Sequence, residues 1–205
     1  MPGRVFLTSP IADLAQALGV SIDPVADEPP RANIAPGQKI VTLTQDGLTR
    51  MRWGMIPVGR VNARGRPVME TIINARSETV FDKSAYADTG RAVVPVNGWY
   101  EWTGERRKKT AWRITPRSGT FLYFAAITDV WSGPGGVEVP QVATVTCEPS
   151  ADVRDIHHRM AVILRPDDIP LWLGGSVEDA TPLMRPWPDG SLKVDEANGV
   201  DWAGS

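Results

Sequence analysis

The sequence predicts an α+β fold: a single mixed domain with a curled, barrel-like β-sheet core and a few short peripheral helices. Three observations carry this expectation. Short apolar stretches of strand character recur along most of the 205 residues, separated by turns drawn from 19 Gly and 18 Pro. Helical patterns are few and brief. Neither an internal repeat nor a linker divides the chain, so residues 1–205 are expected to form one unit.

Val5-Phe6-Leu7 is expected to be the first strand. Ser9-Pro10 should open a helix, with Ser9 as N-cap and Pro10 in the first turn. Ile11, Leu14 and Leu18 fall on one face, and Gly19 ends it. Residues 23–38, with Pro24, Pro29, Pro30 and Pro36, predict an extended crossing segment. Lys39 to Thr44 and Leu48 to Trp53 predict a hairpin across Gln45-Asp46-Gly47, because Asp-Gly supplies the backbone that a tight turn needs. Residues 57–70 predict a long loop. A helix is expected over Ser77 to Tyr86, with Ser77 at its cap and Glu78 in its first turn. Further strands are expected at 92–96, 99–102, 111–115, 121–127, 142–146 and 161–164, with short helices near 151–156 and 169–173.

Composition narrows the function. No run of about 18 apolar residues exists, so no membrane span is expected. The N-terminus lacks a secretory pattern, which predicts a cytoplasmic protein. A lone Cys147 excludes an intramolecular disulfide, and two adjacent histidines without metal-ligand spacing predict neither a metal site nor a cofactor. Net charge is −2, yet residues 50–117 hold 14 Lys/Arg against 6 Asp/Glu. Such a basic middle can line a groove for a polyanion, or scatter over solvated faces. Glu105-Arg106-Arg107-Lys108-Lys109 looks like a plain hairpin tip.

Four clusters contain chemistry. In Asn97-Gly98-Trp99-Tyr100-Glu101-Trp102, strand alternation puts Trp99 and Glu101 on one face and Tyr100 and Trp102 on the other. A carboxylate beside indole in a half-buried strand suits general acid/base work; an exposed Glu on an edge strand is the competing reading. Ile72-Ile73-Asn74-Ala75-Arg76-Ser77-Glu78 would deliver Asn74 and Arg76 to a helix N-terminus, for phosphate binding or for capping and an ion pair. In Arg52-Trp53-Gly54, Trp53 could stack a base or fill the core. Asp155-Ile156-His157-His158-Arg159-Met160 holds both imidazoles of the chain, at the mouth of an expected strand or in a solvated turn.

Taken in order, Asn33-Ile34-Ala35-Pro36, Arg52-Trp53-Gly54, Asn74-Ala75-Arg76-Ser77-Glu78-Thr79, Gly98-Trp99-Tyr100-Glu101-Trp102 and Ile156-His157-His158-Arg159-Met160 resemble the SOS response-associated peptidase (SRAP) family. The resemblance runs from Gly3-Arg4 to about Leu173 and is loose over 175–205. It implies a sensor of abasic sites in single-stranded DNA, serving the DNA damage response. In the family, a cysteine at position 2 condenses with the ring-opened sugar aldehyde to a thiazolidine DNA–protein cross-link. The catalytic set it implies here is Pro2, Asn74, Glu101 and His157. Asn74 would hold the sugar, Glu101 assist proton transfer, and His157 assist ring opening and reversal. Its DNA-binding set is Arg4, Trp53, Arg76, Thr146 and Arg159, with Arg76 on the phosphates and Thr146 along the groove. The expected partner is single-stranded DNA with abasic sites, bound by a monomer associated with the nucleoid, without metal or cofactor.

The pattern breaks at Pro2, which stands where the family has its cysteine. Lesser departures are Ala32 in place of Tyr and Ala161 in place of Pro. Without that thiol no thiazolidine forms. Loss of Met1 would leave a prolyl secondary amine able to form an iminium, with lyase-like consequences. The alternatives are a non-covalent reader of damaged single strands, or a Pro2 lesion in an otherwise ordinary member. A peptidase or other hydrolase is a further alternative, although no serine or cysteine nucleophile motif is present.

Overall fold

The structure, a computed structural model, describes residues 2–56, 64, 71–105 and 108–203. In chain order its strands are β1 (Arg4–Leu7), β2 (Arg31–Ile34), β3 (Lys39–Thr44), β4 (Gly47–Trp53), β5 (Asn74–Arg76), β6 (Gly90–Val96), β7 (Gly98–Thr103), β8 (Thr110–Pro116), β9 (Leu122–Ser132), β10 (Glu138–Cys147), β11 (Met160–Ala161), β12 (Ile163–Leu164) and β13 (Leu192–Glu196). The helices are α1 (Ile11–Leu18), α2 (Ile169–Gly174) and α3 (Val177–Ala180).

A closed ring of strands forms the barrel. β3 pairs with β4 and β6, β6 with β9, β9 with β10, and β10 returns to β4 in parallel. Closure removes the exposed edges that a curled sheet would otherwise leave. Gln141–Cys147 is buried without alternation because β10 faces the barrel interior on one side and packed chain on the other. Trp53, Val94, Phe124 and Ile127, carried on β4, β6 and β9, are all buried at 0–1% exposure. β5 and β11 extend the sheet from β10, and β12 from β9. The second sheet, in the order β13-β8-β7-β1-β2, packs against the barrel through Val5, Trp99 and Ile114. Trp99 reaches the barrel directly, meeting Phe124 edge-on at 5.6 Å.

The expected α+β class with a barrel core holds, and the β3–β4 hairpin forms where it is expected, with Gly47 at φ 109° already paired opposite Thr44 as the first residue of β4 rather than left in the turn. Several local expectations are corrected. Pro10, not Ser9, is the N-cap of α1, because the Ser9 hydroxyl instead accepts from Asn97 Nδ2 at 2.9 Å. The crossing segment 23–38 contains a 3-10 turn at Asp23–Val25 and strand β2, where Val25 and Ile34 find core positions. No helix spans 77–86. The Ser77 amide donates to the Thr146 carbonyl at 2.8 Å, so the chain leaves β5 in turns anchored by buried Val80, with a 3-10 turn at Ser84–Tyr86. Residues 151–156 form hydrogen-bonded turns rather than a helix. The strand expected at 161–164 is split, β11 pairing with β10 and β12 with β9. The loop expected over 57–70 lies outside the described residues except for Arg64, as do Arg106 and Arg107 of the expected hairpin tip. That tip's flanks do pair, Thr103 opposite Thr110.

Candidate functional site

The start of the chain is built into the second sheet. β1 runs antiparallel to β7 with Arg4 opposite Tyr100, Val5 opposite Trp99 and Phe6 opposite Gly98. Gly98 is required there, because a Cβ would lie 2.2 Å from the Ile114 carbonyl oxygen and 2.5 Å from the Phe6 ring. Asn97, just before it, is structural. Its Oδ1 accepts from the Thr8 and Ser9 amides at 2.6 and 2.9 Å, and its Nδ2 donates to the Thr120 carbonyl at 2.9 Å. These bonds hold β1 in place and with it the residues preceding it.

Pro2 is buried, and its carbonyl accepts from Asn74 Nδ2 at 3.1 Å. Asn74 is itself oriented by Thr144, whose hydroxyl donates to Asn74 Oδ1 at 2.5 Å. The parallel pairing of β5 with β10 puts Asn74 opposite Thr144 and Arg76 opposite Thr146. Asn74 and Arg76 lie on this three-residue strand and not at the helix N-terminus expected from the sequence. Arg76 is exposed, and among the described residues no ion pair holds it.

Glu101 is 3% exposed, which removes the edge-strand reading. Burial pushes its carboxyl above the ordinary carboxylate value, and the positive charge at the chain's N-terminus acts in the opposite direction. His157 ends a tight turn in which its amide donates to the Val153 carbonyl at 2.9 Å. Its Nδ1 accepts from the Arg159 amide at 3.0 Å, which leaves Nε2 to carry the proton of the neutral ring. Burial lowers its pKa to about 4, helped by the N-terminal charge and by His158. The exposed His158 stacks on it, with ring centroids 4.4 Å apart. The N-terminal charge therefore acts on both Glu101 and His157, and Asn74 holds the adjoining Pro2.

The residues expected to bind DNA divide differently. Trp53 is 0% exposed and its Nε1 donates to the Ile73 carbonyl at 3.2 Å, so it is a core residue and offers no stacking surface. Thr146 is likewise fully buried and bonds the Ala75 carbonyl, a strand-pairing role rather than a groove contact. Arg159 is turned inward. It grips the Glu78 carboxylate with both terminal nitrogens and the Thr146 carbonyl with one, and this pairing lowers the Glu78 pKa to about 2. Arg4 donates to Asn33 Oδ1 at 2.8 Å and to the Trp202 carbonyl at 3.3 Å. The basic middle is partly spent inside the fold as well, since Arg50 pairs with Asp27 and Glu28. Sequence reasoning missed Thr144 and Trp202, whose partners lie 70 residues or more away in the chain and leave no local signal.

Cys147 is 3% exposed, and burial pushes its thiol up to about 12. A thiol held protonated in the core is no nucleophile. With Pro2 at the second position, no thiolate is available to this site.

The family model described as "SOS response associated peptidase (SRAP)" matches residues 1–198. Abasic site processing protein YoaM of Bacillus subtilis (strain 168) is 32% identical over 182 residues, covering 84% of this chain and 79% of its own. Abasic site processing protein YedK of Escherichia coli (strain K12) is 30% identical over 150 residues, covering 70% of this chain and 64% of its own. A crystal structure of a Bacteroides thetaiotaomicron protein superposes with a TM-score of 0.83 at 19% identity, covering 96% of this chain and 92% of that one. With the motif order matched, the barrel reproduced and the family model spanning nearly the whole chain, this protein belongs to the SRAP family.

Proposed function

We propose that this protein senses abasic sites in single-stranded DNA and forms a reversible covalent adduct with the opened sugar through its N-terminal amine. One observation carries the reading: Asn74 bonds the Pro2 carbonyl, and the N-terminal charge bears on both Glu101 and His157, three groups from separate parts of the chain. The relatives described as abasic site processing proteins support the choice of substrate.

The chemistry follows from groups already in place. Removal of Met1 exposes the Pro2 secondary amine. An α-amino group titrates near pH ~8, so roughly a tenth is unprotonated at neutral pH without assistance. Glu101, with its raised proton affinity, takes the ammonium proton. The amine lone pair then bonds to the aldehyde carbon, and the amine's remaining N–H proton passes to the carbonyl oxygen to give a neutral carbinolamine. Glu101 returns its proton to that hydroxyl, which departs as water and leaves an iminium. His157 stays neutral at physiological pH and offers Nε2–H to the sugar oxygen as the ring opens. Asn74 positions the amine through the Pro2 carbonyl, and the exposed Arg76 takes a backbone phosphate. No thiol exists to close the iminium into a thiazolidine, so it returns by hydrolysis or loses the sugar's C2′ proton and expels the 3′ phosphate. We place this activity in the cytoplasm.

Intact-mass measurement after incubation with abasic single-stranded DNA tests the proposal. The expected product is an adduct of the Met-less chain seen only after borohydride reduction. Pro2→Cys should yield an adduct that survives without reduction. DNA binding with no reducible adduct would leave a non-covalent reader, and absence of binding would remove the DNA role.

A further inference from the structure

We infer that the segment from Asn198 to Ala203 is a self-occluding strap, lying on the face of the second sheet and lifting when single-stranded DNA binds. The inference rests on the DNA-binding reading above and concerns the regulation of that same site.

The strap is laid across the strands, not along them. β13 completes the edge of the sheet against β8, and the Ala197 amide still donates to the Ala111 carbonyl at 2.8 Å. The chain then leaves the edge, bends at Gly199 with φ 71°, and crosses toward β2. The Trp202 ring meets Tyr100 at 5.0 Å and 84° and Trp102 at 5.2 Å and 61°, both on β7. The Trp202 carbonyl accepts from Arg4 on β1, and the Asp201 carbonyl accepts from Asn33 Nδ2 on β2 at 2.9 Å.

These contacts have the chemistry of a nucleotide. A flat ring meets two aromatics edge-on while oxygens beside it take hydrogen bonds from a guanidinium and a side-chain amide. Single strands use the same kinds of group, aromatic side chains against the bases and Arg and Asn donors on phosphate or base oxygens. Pairing register puts Arg4, Tyr100 and Arg113 in line across the same face, and Arg113 lies 4.7 Å over the Phe6 ring. The end of β13 brings Asp195 to this basic and aromatic face, in register with Arg113, and the strap adds the exposed Asp201. A strand entering the site at Pro2 meets Arg4 two residues away, and Arg4 is already occupied.

The strap is also the kind of element that can leave. Trp202 is half-buried, and the described bonds from it to the sheet use backbone carbonyls at part-buried positions. Local openings of this kind come at the low end of a protein's stability range. The barrel does not depend on it, since its ring of strands closes without the second sheet.

The test uses the full chain and its Trp202→Ala and Trp202→Phe variants. Affinity is measured for a labelled oligothymidine with and without an abasic site. Hydrogen exchange at residues 198–203 is followed as DNA is added, and unfolding midpoints verify folding. A strap closed about 80–90% of the time lowers apparent affinity about five- to tenfold, so Trp202→Ala should tighten binding by that factor. Trp202→Phe, which keeps a ring in the slot, should stay near the parent. Exchange of the strap amides should speed up as DNA saturates. Unchanged or weaker binding by Trp202→Ala, or exchange that slows on DNA addition, would overturn the strap while leaving the DNA reading intact. If the parent and both variants bind no DNA, the DNA reading fails and the occlusion with it.

Discussion

The two faces of β7 carry the same kinds of residue to opposite ends. On one, Trp99 and Glu101 are sealed inward, with Trp99 against Phe124 and Glu101 at 3% exposure. On the other, Tyr100 and Trp102 point away from the barrel and are covered by Trp202. Strand alternation alone separates them. The difference teaches that a carboxylate acquires a perturbed proton affinity here from the packed face, while the opposite face stays available for exchangeable partners. One strand thus supplies both a fixed chemical group and a replaceable contact surface.

The sharpest way to break this comparison is to empty the inward face. Trp99→Ala removes a fully buried indole and should cost about 4 kcal/mol, measured by urea unfolding, because the barrel wall cannot collapse into the space. A loss below about 1 kcal/mol would mean that the face is not packed as described. Glu101→Gln probes the same face through chemistry. It should slow formation of the borohydride-trapped adduct about 100-fold, the usual scale for removing a general base. Its stability signature has a defined sign. The folded-state pKa is raised above 4.5, so the parent is stable with Glu101 protonated and loses that contribution as pH rises through the folded value. Glu101→Gln should therefore gain stability relative to the parent from pH 4 upward, and a constant difference would contradict the burial argument.

His157 has the opposite sign. Its folded pKa is lowered from 6.5 to about 4, so its contribution is present above pH 6.5 and is lost as pH falls through that window. His157→Asn should flatten the acid side of the stability curve between pH 6.5 and 4, as followed by thermal unfolding. A curve superimposable on the parent would show that the ring is not desolvated. The smallest effect is expected at Glu78→Gln. The Arg159 pair is bidentate, but the Glu78 side chain is 50% exposed, so solvent screening limits the loss to about 1 kcal/mol at neutral pH. With its pKa lowered to about 2, Glu78 contributes fully above pH 4.5 and stops contributing as pH falls toward 2.

Much of the fold was legible because local signals and tertiary packing agree. Asp46-Gly47 marks the β3–β4 turn, and the apolar runs at 92–96 and 142–146 are central barrel strands. The strands that escaped notice are β2, β5 and β13. β5 is three residues long and exists only by pairing with β10, and β2 follows two prolines that suggest mere extension. The helix expected over 77–86 carried capping signals at Ser77 and Glu78, but both groups are committed elsewhere, the Ser77 amide to Thr146 and the Glu78 carboxylate to Arg159. The site was visible as residue types in order. The burial of Trp53 and Thr146 was not, because a tryptophan or threonine in a strand has the same letter whether it faces solvent or core.

By itself the sequence determined the chemistry that is possible. It sets one cysteine far from the start, Pro2 where a thiol would stand, and the ordered motifs that mark the family. Those are matters of covalent identity, and no folding changes them. Only the tertiary structure decided which of these groups meet. Glu101 became a buried carboxyl, Arg159 turned inward to Glu78, and Trp202 came to rest on Tyr100 and Trp102 from about 100 residues away. The reason is physical: pKa, exposure and pairing depend on neighbours brought together by strand register and packing, and sequence spacing does not contain them.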